Sequence, residues 1–170
     1  MHITEPVTML TDFALAAASL AFAYLLYGMI GPRNRVSAWL WCAGFLTSAV
    51  AAAIGATYHG FVQYFDPGTL RLFWNIIMST MGASAGFWIA GCHAAYIRKE
   101  DGSMKWLGAG IAVTFLGALI QQTGFRHNAG FNHNDAYHLI QILAMYLFFK
   151  GASRLRDRPG VVSQEGIAND

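Results

Sequence analysis

The residues best suited to chemistry lie in one short stretch, His127 to Gln141, which reads HNAGFNHNDAYHLIQ. It contains three histidines, three asparagines and one aspartate, and it leads into an apolar run. Imidazole and carboxylate groups hold metal ions or move protons, and they are costly beside hydrocarbon. The stretch is therefore predicted to belong to a functional site.

Within this stretch, Asp135 and His138 lie three residues apart and would share one face of a helix. The same spacing supplies carboxylate and imidazole ligands in metal sites of helix bundles. His133 comes five residues before His138 and is predicted to lie in the loop before the helix. A structural role stays open for Asp135, because Asn132 or Asn134 would cap the helix and an acid in the first turn suits the helix dipole.

The rest of the chain, which must position these residues, is mostly apolar. Of its 170 residues, 55% are hydrophobic and 12% are charged, and the mean hydropathy is +0.39. Soluble domains carry about 25% charged residues, so the composition predicts an all-α, polytopic integral membrane protein. The sequence has no basic face, zinc-finger spacing or RNA motif, which argues against nucleic acid as a partner. Cys42 and Cys92 lie in apolar runs and are predicted to be buried thiols rather than a disulfide.

Five apolar runs are long enough to cross a bilayer, which takes about 17 to 25 residues. They predict a bundle of five transmembrane helices over residues 10–30, 36–58, 70–97, 106–122 and 134–150. These form one domain, residues 1–158, followed by a flexible tail, 159–170. The second run is rich in Ala, Gly and Ser, which predicts a central, closely packed helix. Gly82 and Gly86 have the spacing of a close-packing face, and such faces also permit an oligomer.

The basic residues predict how the bundle is oriented. Nine of the 11 lysines and arginines fall in the first loop, the third loop or the C-terminal segment, and only Arg71 and Arg126 fall on the other side. Because basic loops stay in the cytoplasm, we expect the N-terminus outside and the C-terminus in the cytoplasm, in a bacterial inner membrane.

With this topology, polar groups from all five helices meet at the outer face. The set is Glu5, Asp12, His59, Asp66, Arg71, Asn75, Gln121, Gln122, Arg126, His127, His133, Asp135 and His138. This convergence is the main sequence argument for a site. His93 lies at the opposite end of the third helix and is predicted to be a neutral histidine packed in the core.

The chemistry that this set suggests is a zinc site. His59 and His138 are the first candidate ligands and His133 is the third, since catalytic zinc typically has three protein ligands and an open fourth position. The alternative for His59 is an interfacial histidine that hydrogen-bonds a carboxylate such as Asp12. The metal would lower the pKa of a bound water to about 7 and make it a nucleophile, with Asp135 or Asp12 as general base. Four further residues are expected to surround these groups: Asn75, Gln122, Asn134 and His127.

Two short motifs resemble the CREST superfamily of membrane metal hydrolases, which includes alkaline ceramidases and adiponectin receptors. The segment from Gly55 to His59 resembles the Ser-xxx-His motif of that group, with Gly55 in place of the serine. The segment from Asn134 to His138 resembles its His-xxx-His motif, with Asn134 in place of the first histidine. The resemblance implies zinc-dependent hydrolysis of a lipid amide, although that group has seven spans. The FNHND and EP…TD segments also resemble an uncharacterised family of five-helix bacterial membrane proteins, which implies no activity.

Three functions stay open on the sequence. The first is a metal-dependent hydrolase that acts on the amide or ester of a membrane lipid at the outer leaflet. The second is a b-type haem electron-transfer protein, in which histidines from different helices are axial ligands. The third is a non-enzymatic membrane protein, whose polar layer handles metal ions or protons or only satisfies helix ends.

Overall fold

The computed structural model describes residues 2–97, 100–124, 126–128 and 130–158, with residues 126–128 described through their backbone alone. The elements are α1 (Pro6–Tyr27), α2 (Arg35–Phe61) with a 3-10 turn (Val62–Tyr64), α3 (Pro67–Ala94), β1 (Ala95–Tyr96), α4 (Ser103–Gln122), β2 (Arg126–Asn128), β3 (Phe131–Asn132), α5 (His133–Ala152) and β4 (Arg156–Asp157). The prediction of five helices is confirmed in the described part of the chain.

Local sequence explains where the helices begin. Pro6 and Pro67 occupy the first turns of α1 and α3, where a missing amide proton is harmless. Asp66 caps α3 by accepting hydrogen bonds from the amides of Gly68 and Thr69 at 2.8 and 3.1 Å. The hydroxyl of Thr69 also donates to Asp66, and this bond lowers the pKa of that exposed carboxyl. As a result α1 and α3 begin three or four residues earlier than predicted.

The helices pack side by side in the order α3, α2, α1, α5, α4. Small residues bring α2 close to both of its neighbours, as the sequence predicted. Gly44 lies against the indole of Trp88 on α3, and Gly60 lies against Met9 on α1, with no room at either glycine for a methyl group. The outer helices α3 and α4 pack chiefly on α2 and α5, so they face each other across a cleft.

The apolar core fills the half of the bundle near the start of α2 and the end of α5. Trp41 and Phe45 are almost fully buried there. Trp41 stacks on Trp88 with ring centroids 5.7 Å apart, and Trp88 lies 5.2 Å from Phe148 of α5. Aromatic pairs at these distances attract each other beyond the area they bury. This half of the bundle is therefore closed, and the cleft extends from Trp88 and Phe148 into the other half.

Residues after α5 fasten the closed half. Strand β4 pairs antiparallel with β1, and the amide of Asp157 donates to the carbonyl of Arg33 at 2.7 Å. The buried carboxylate of Asp157 accepts hydrogen bonds from the amides of Val36 and Ser37 at 2.8 and 2.9 Å. These amides belong to the first turn of α2 and have no helical partner. Asp157 therefore links the segment after α5 to the first turn of α2.

Four helical segments are long and apolar enough to cross a membrane: Pro6–Tyr27, Arg35–Tyr64, Pro67–Ala94 and Ser103–Gln122. The fifth helix has 20 residues but is not among the four. Its first half carries His133, Asp135, His138 and Gln141, which lower its hydropathy.

The surroundings of α3 differ from the prediction. An ideal Cβ at Gly82 or Gly86 would have nothing within 4 Å, so these glycines do not form a packing face within this chain. His93 is exposed instead of packed in the core. Both differences arise because α3 lies at the edge of the bundle. Cys42 is buried, Cys92 is partly buried, and both are free thiols, as predicted. The predicted tail, residues 159–170, lies outside the described residues.

Candidate functional site

The open half of the bundle contains a buried pair, Asp12 of α1 and His138 of α5. Oδ1 of Asp12 lies 3.2 Å from Nε2 of His138, and the side chains are 6% and 8% exposed. An ideal Cβ at Gly55 of α2 would lie 3.0 Å from Oδ2 of Asp12. The missing side chain at Gly55 thus leaves room for the carboxylate between three helices. The structure brings together these two predicted site residues, which are 126 positions apart in the sequence.

The second ring nitrogen of His138 is also engaged. Nδ1 lies 3.1 Å from the hydroxyl oxygen of Thr11, which itself lies 3.0 Å from the carbonyl oxygen of Thr8. A hydroxyl has one proton, so when Thr11 donates to Thr8 it can only accept from His138. Nδ1 then carries a proton, and one further proton is shared between Nε2 and Asp12. This arrangement gives an acid–base pair whose histidine is held in one tautomer by Thr11.

Asp135 has the capping role that the sequence left open. The side-chain oxygen of Asn132 accepts hydrogen bonds from the amides of Asn134 and Asp135, at 2.8 and 3.4 Å. In return, Oδ2 of Asp135 accepts a hydrogen bond from the Asn132 amide at 2.7 Å. Oδ1 of Asp135 is buried and has no partner among the described residues, and the same is true of Oδ2 of Asp12. The role of Asp135 as a general base stays a prediction.

His59 has a different carboxylate partner from the one expected. Its Nδ1 lies 3.0 Å from Oε2 of Glu5, whereas the sequence suggested Asp12. The reason is that the segment before α1 runs beside the end of α2. The amides of Thr4 and Glu5 donate to the carbonyls of Gly60 and His59 at 3.0 and 3.2 Å. The ring of His59 still lies near that of His138, with centroids 6.4 Å apart.

A cleft of about 750 Å³ leads to these groups between α3 and α4. Its polar end is lined by Asp12, Tyr58, His59, Gln121, Tyr137 and His138. Its other end is apolar and is lined by Ile77, Met81, Trp88, Met145 and Phe148. Pockets of 300–1,000 Å³ with an apolar lining and a few polar groups are typical small-molecule sites.

The other predicted site residues occupy different positions around this cleft. His133, Gln122 and Asn134 line it, and the Oδ1 of Asn134 accepts a hydrogen bond from Gln121 at 3.2 Å. Asn75 is exposed on α3 and is not among the lining residues, which corrects the expectation that it would surround the ligands. The side chain of His127 lies outside the described residues.

The described residues do not form the three-ligand zinc site that the sequence suggested. No group of three or more His, Cys, Asp or Glu side chains among them is arranged to hold a metal ion. Both ring nitrogens of His138 face protein partners. A histidine ligand must present a nitrogen lone pair to the metal, so His138 as placed does not fit the role of a zinc ligand.

Sequence reasoning missed two residues that hold His138. Thr8 and Thr11 are 1% and 8% exposed, and Nδ2 of Asn132 reaches the Thr8 hydroxyl at 3.5 Å. A signal for them was present, because Thr8, Thr11, Asp12 and Ser19 form a polar stripe at helical spacing in an apolar run. All four are buried in α1.

Comparison with known proteins gives a family but no activity. No curated protein and no solved structure matches the chain significantly, and nothing supports the resemblance to the CREST superfamily. Residues 7–95 and 85–157 match a family of unknown function, DUF6962. These two matches span all five helices and both residues of the buried pair. The chain therefore belongs to the DUF6962 family.

Proposed function

We propose that this chain is an integral membrane protein that binds a lipid-like molecule in its cleft and hydrolyses an ester or amide at the polar end of that molecule. The observation that carries the proposal is the Asp12–His138 pair, which lies buried at the polar end of a mainly apolar cleft. The proposal needs three parts: a membrane location, an amphipathic ligand and acid–base chemistry.

The outer surface of the bundle supports the membrane location. Leu10, Ile89, Phe115 and Leu119 are each 65–71% exposed, and many other large apolar side chains are exposed beside them. Contiguous apolar surface of this extent is unfavourable in water, at about 25 cal/mol per Å². A bilayer would cover it, and four helices have the necessary length.

The cleft supports an amphipathic ligand. One end offers carboxylate, imidazole, amide and phenol groups, and the other offers aromatic and thioether side chains. A molecule with a polar head and a hydrocarbon tail matches both ends of the cleft. A fully polar solute would leave the apolar end of the cleft in contact with water. The opening between α3 and α4 faces the region that lipid would occupy around the bundle, so a lipid could enter sideways.

The buried pair supports acid–base chemistry. Oδ2 of Asp12 has no hydrogen-bond donor within the described residues, and a buried carboxylate oxygen without one is costly. A bound water or a ligand hydroxyl would supply the donor. The pair would take a proton from water as the water oxygen attacks the carbonyl carbon, and would return it to the leaving alcohol or amine.

Filling the cleft tests the site directly. Ala85 of α3 is exposed and lines the cleft, so Ala85→Trp is expected to reduce both lipid retention and hydrolysis by at least about tenfold. Ala83→Trp is the matched control, since Ala83 is exposed on the same helix and is not a lining residue. Native mass spectrometry of the delipidated protein and a panel of lipid esters and amides would measure both effects. Equal loss in the two variants would refute the cleft as the binding site.

Metal content separates this proposal from a zinc enzyme. We expect less than one zinc per chain in the purified protein, with the same content in His138→Ala and in His93→Ala. Elemental analysis measures this, and a visible spectrum of the same sample reports haem. About one zinc per chain that is lost only in His138→Ala would replace acid–base catalysis with zinc chemistry.

The proposed orientation has its own test. Basic residues cluster at the end of the bundle that contains the α1–α2 loop and the C-terminal segment, so this end is proposed to face the cytoplasm. In a variant without Cys42 and Cys92, Gly130→Cys is expected to react with an impermeant thiol reagent in intact cells, and Ser153→Cys is not. The opposite labelling pattern would reverse the orientation.

A further inference from the structure

We propose that a second cavity, at the basic end of the bundle, binds a phosphoryl group. This cavity has a volume of about 560 Å³ and lies between the α1–α2 loop and the residues after α5. Its lining includes Arg33, Asn34, Asp101, Ser153, Arg154 and Arg156. None of these residues contributes to the cleft that contains Asp12 and His138, so the proposal is independent of the proposed hydrolysis.

Arg154 provides the main argument. Its Nη1 is buried and has no hydrogen-bond partner among the residues that the structure describes, and its guanidinium lies 5.4 Å from the ring centroid of Trp106. A buried donor without an acceptor is costly. Stacking on Trp106 restricts the guanidinium and leaves its edge to bind an acceptor. Phosphoryl oxygens fit this edge, because they can accept two parallel hydrogen bonds from one arginine.

Two further arginines lie at the same cavity. Arg33 and Arg156 are exposed, and neither forms an ion pair within the part of the chain that the structure describes. The segments that carry these two arginines are held together, since the amide of Asp157 donates to the carbonyl of Arg33 at 2.7 Å. Three arginines and one carboxylate, Asp101, therefore line this cavity, and the excess of positive charge favours an anion.

The acidic groups nearby each accept hydrogen bonds from backbone amides. Asp101 accepts a hydrogen bond from the amide of Ser103 at 2.8 Å. Asp157 caps α2 with both carboxylate oxygens. The side chain of Asn34 accepts from the amide of Gly31 at 2.7 Å and donates to the carbonyl of Met29 at 3.1 Å, which fixes the shape of the loop. The anion would thus meet a preformed loop and three arginines.

Two sources could supply the phosphoryl group: the head group of an anionic phospholipid or free phosphate. The cavity lies at the ends of apolar helices, at the depth in the membrane where the head group of a surrounding lipid would lie. Basic pockets at this level of a membrane protein bind such head groups. The experiment therefore uses both probes on the full chain.

The test compares Arg154→Gln with Arg71→Gln, an exposed arginine at the start of α3 and at the opposite end of the bundle. Binding of phosphatidylglycerol over phosphatidylcholine is measured by native mass spectrometry, and binding of inorganic phosphate by calorimetry in detergent. We expect Arg154→Gln to weaken at least one of these ligands about tenfold and Arg71→Gln to leave both unchanged. Arg154→Lys keeps the charge over Trp106 and is expected to fall between wild type and Arg154→Gln.

Each outcome has one meaning. A tenfold loss for phosphatidylglycerol alone assigns the site to a lipid head group, and a loss for inorganic phosphate assigns it to the free anion. If wild type binds neither probe, or if Arg71→Gln weakens binding as much as Arg154→Gln, the proposal is wrong. Thermal unfolding of each variant in detergent identifies any variant that fails to fold. If Arg154→Gln fails to fold, Arg154→Lys is compared with the wild type in its place.

Discussion

Replacing His138 by alanine is expected to lower the turnover of a lipid ester or amide by about 100-fold or more. This is the usual contribution of a positioned general acid or base. The change also removes the hydrogen-bond partner of Oδ1 of Asp12, whose other oxygen already lacks a partner in the described part of the chain. Breaking a buried pair in this way costs about 3–5 kcal/mol if the remaining group stays charged. A loss of activity in His138→Ala alone would therefore not separate catalysis from folding.

The variant Asp12→Asn separates the effect on catalysis from the effect on folding. The asparagine amide can donate to Nε2 of His138, and the proton on Nδ1 can still go to Thr11, so the buried contacts are kept. The amide cannot take up a proton, however, so we expect a folded protein with turnover reduced by a similar factor. His93→Ala is the control, because His93 is exposed near the opposite end of α3.

The measurement is the initial rate of hydrolysis in nanodiscs, alongside the thermal unfolding of each variant. A stable Asp12→Asn variant with wild-type turnover would refute the acid–base role. If lipid retention falls in Asp12→Asn while no substrate is hydrolysed by the wild type, the pair recognises a head group without reacting with it. That outcome would favour the non-enzymatic alternative.

Much of the fold could be predicted because its signals are local. Long apolar runs, Pro at helix starts and the Asn132–Asp135 capping box are each encoded within a few residues. The sequence predicted that Asp12 and His138 lie at the same membrane face, but it did not predict that their side chains are in contact. Their contact depends on Gly55, since a larger residue there would displace the carboxylate.

The features that could not be predicted from the sequence depend on which helix lies at the edge of the bundle. The small residues of α2 and α3 look alike in sequence, but Gly44 faces a neighbouring helix and Gly82 faces none among the described residues. His93, with no carboxylate near it in the sequence, was expected to be packed in the core and is exposed. The partner of His59 was also missed, because Glu5 reaches it through a backbone pairing between distant segments. Long-range packing decides these cases, and periodicity does not report it.

The second large effect, on the stability of the protein, is expected from a substitution at the close contact between α4 and α5. An ideal Cβ at Gly110 would lie 2.6 Å from Cδ1 of Phe148, and that ring is confined by Trp41 and Trp88. Gly110→Ala is therefore expected to push the helices apart and to lower the free energy of unfolding by about 1–3 kcal/mol. Gly108 lies on the same helix, is exposed and has nothing within 4 Å of an ideal Cβ.

Gly108→Ala is accordingly the matched control and should act in the opposite direction. Alanine restricts the unfolded chain and favours the helix, so stability should rise by up to about 1 kcal/mol. Equilibrium unfolding in mixed detergent micelles, followed by circular dichroism, compares the two variants. Stabilisation by both would mean that Phe148 moves aside freely. Because Phe148 also lines the cleft, destabilisation by Gly110→Ala should be accompanied by weaker lipid retention, whereas Gly108→Ala should leave retention unchanged.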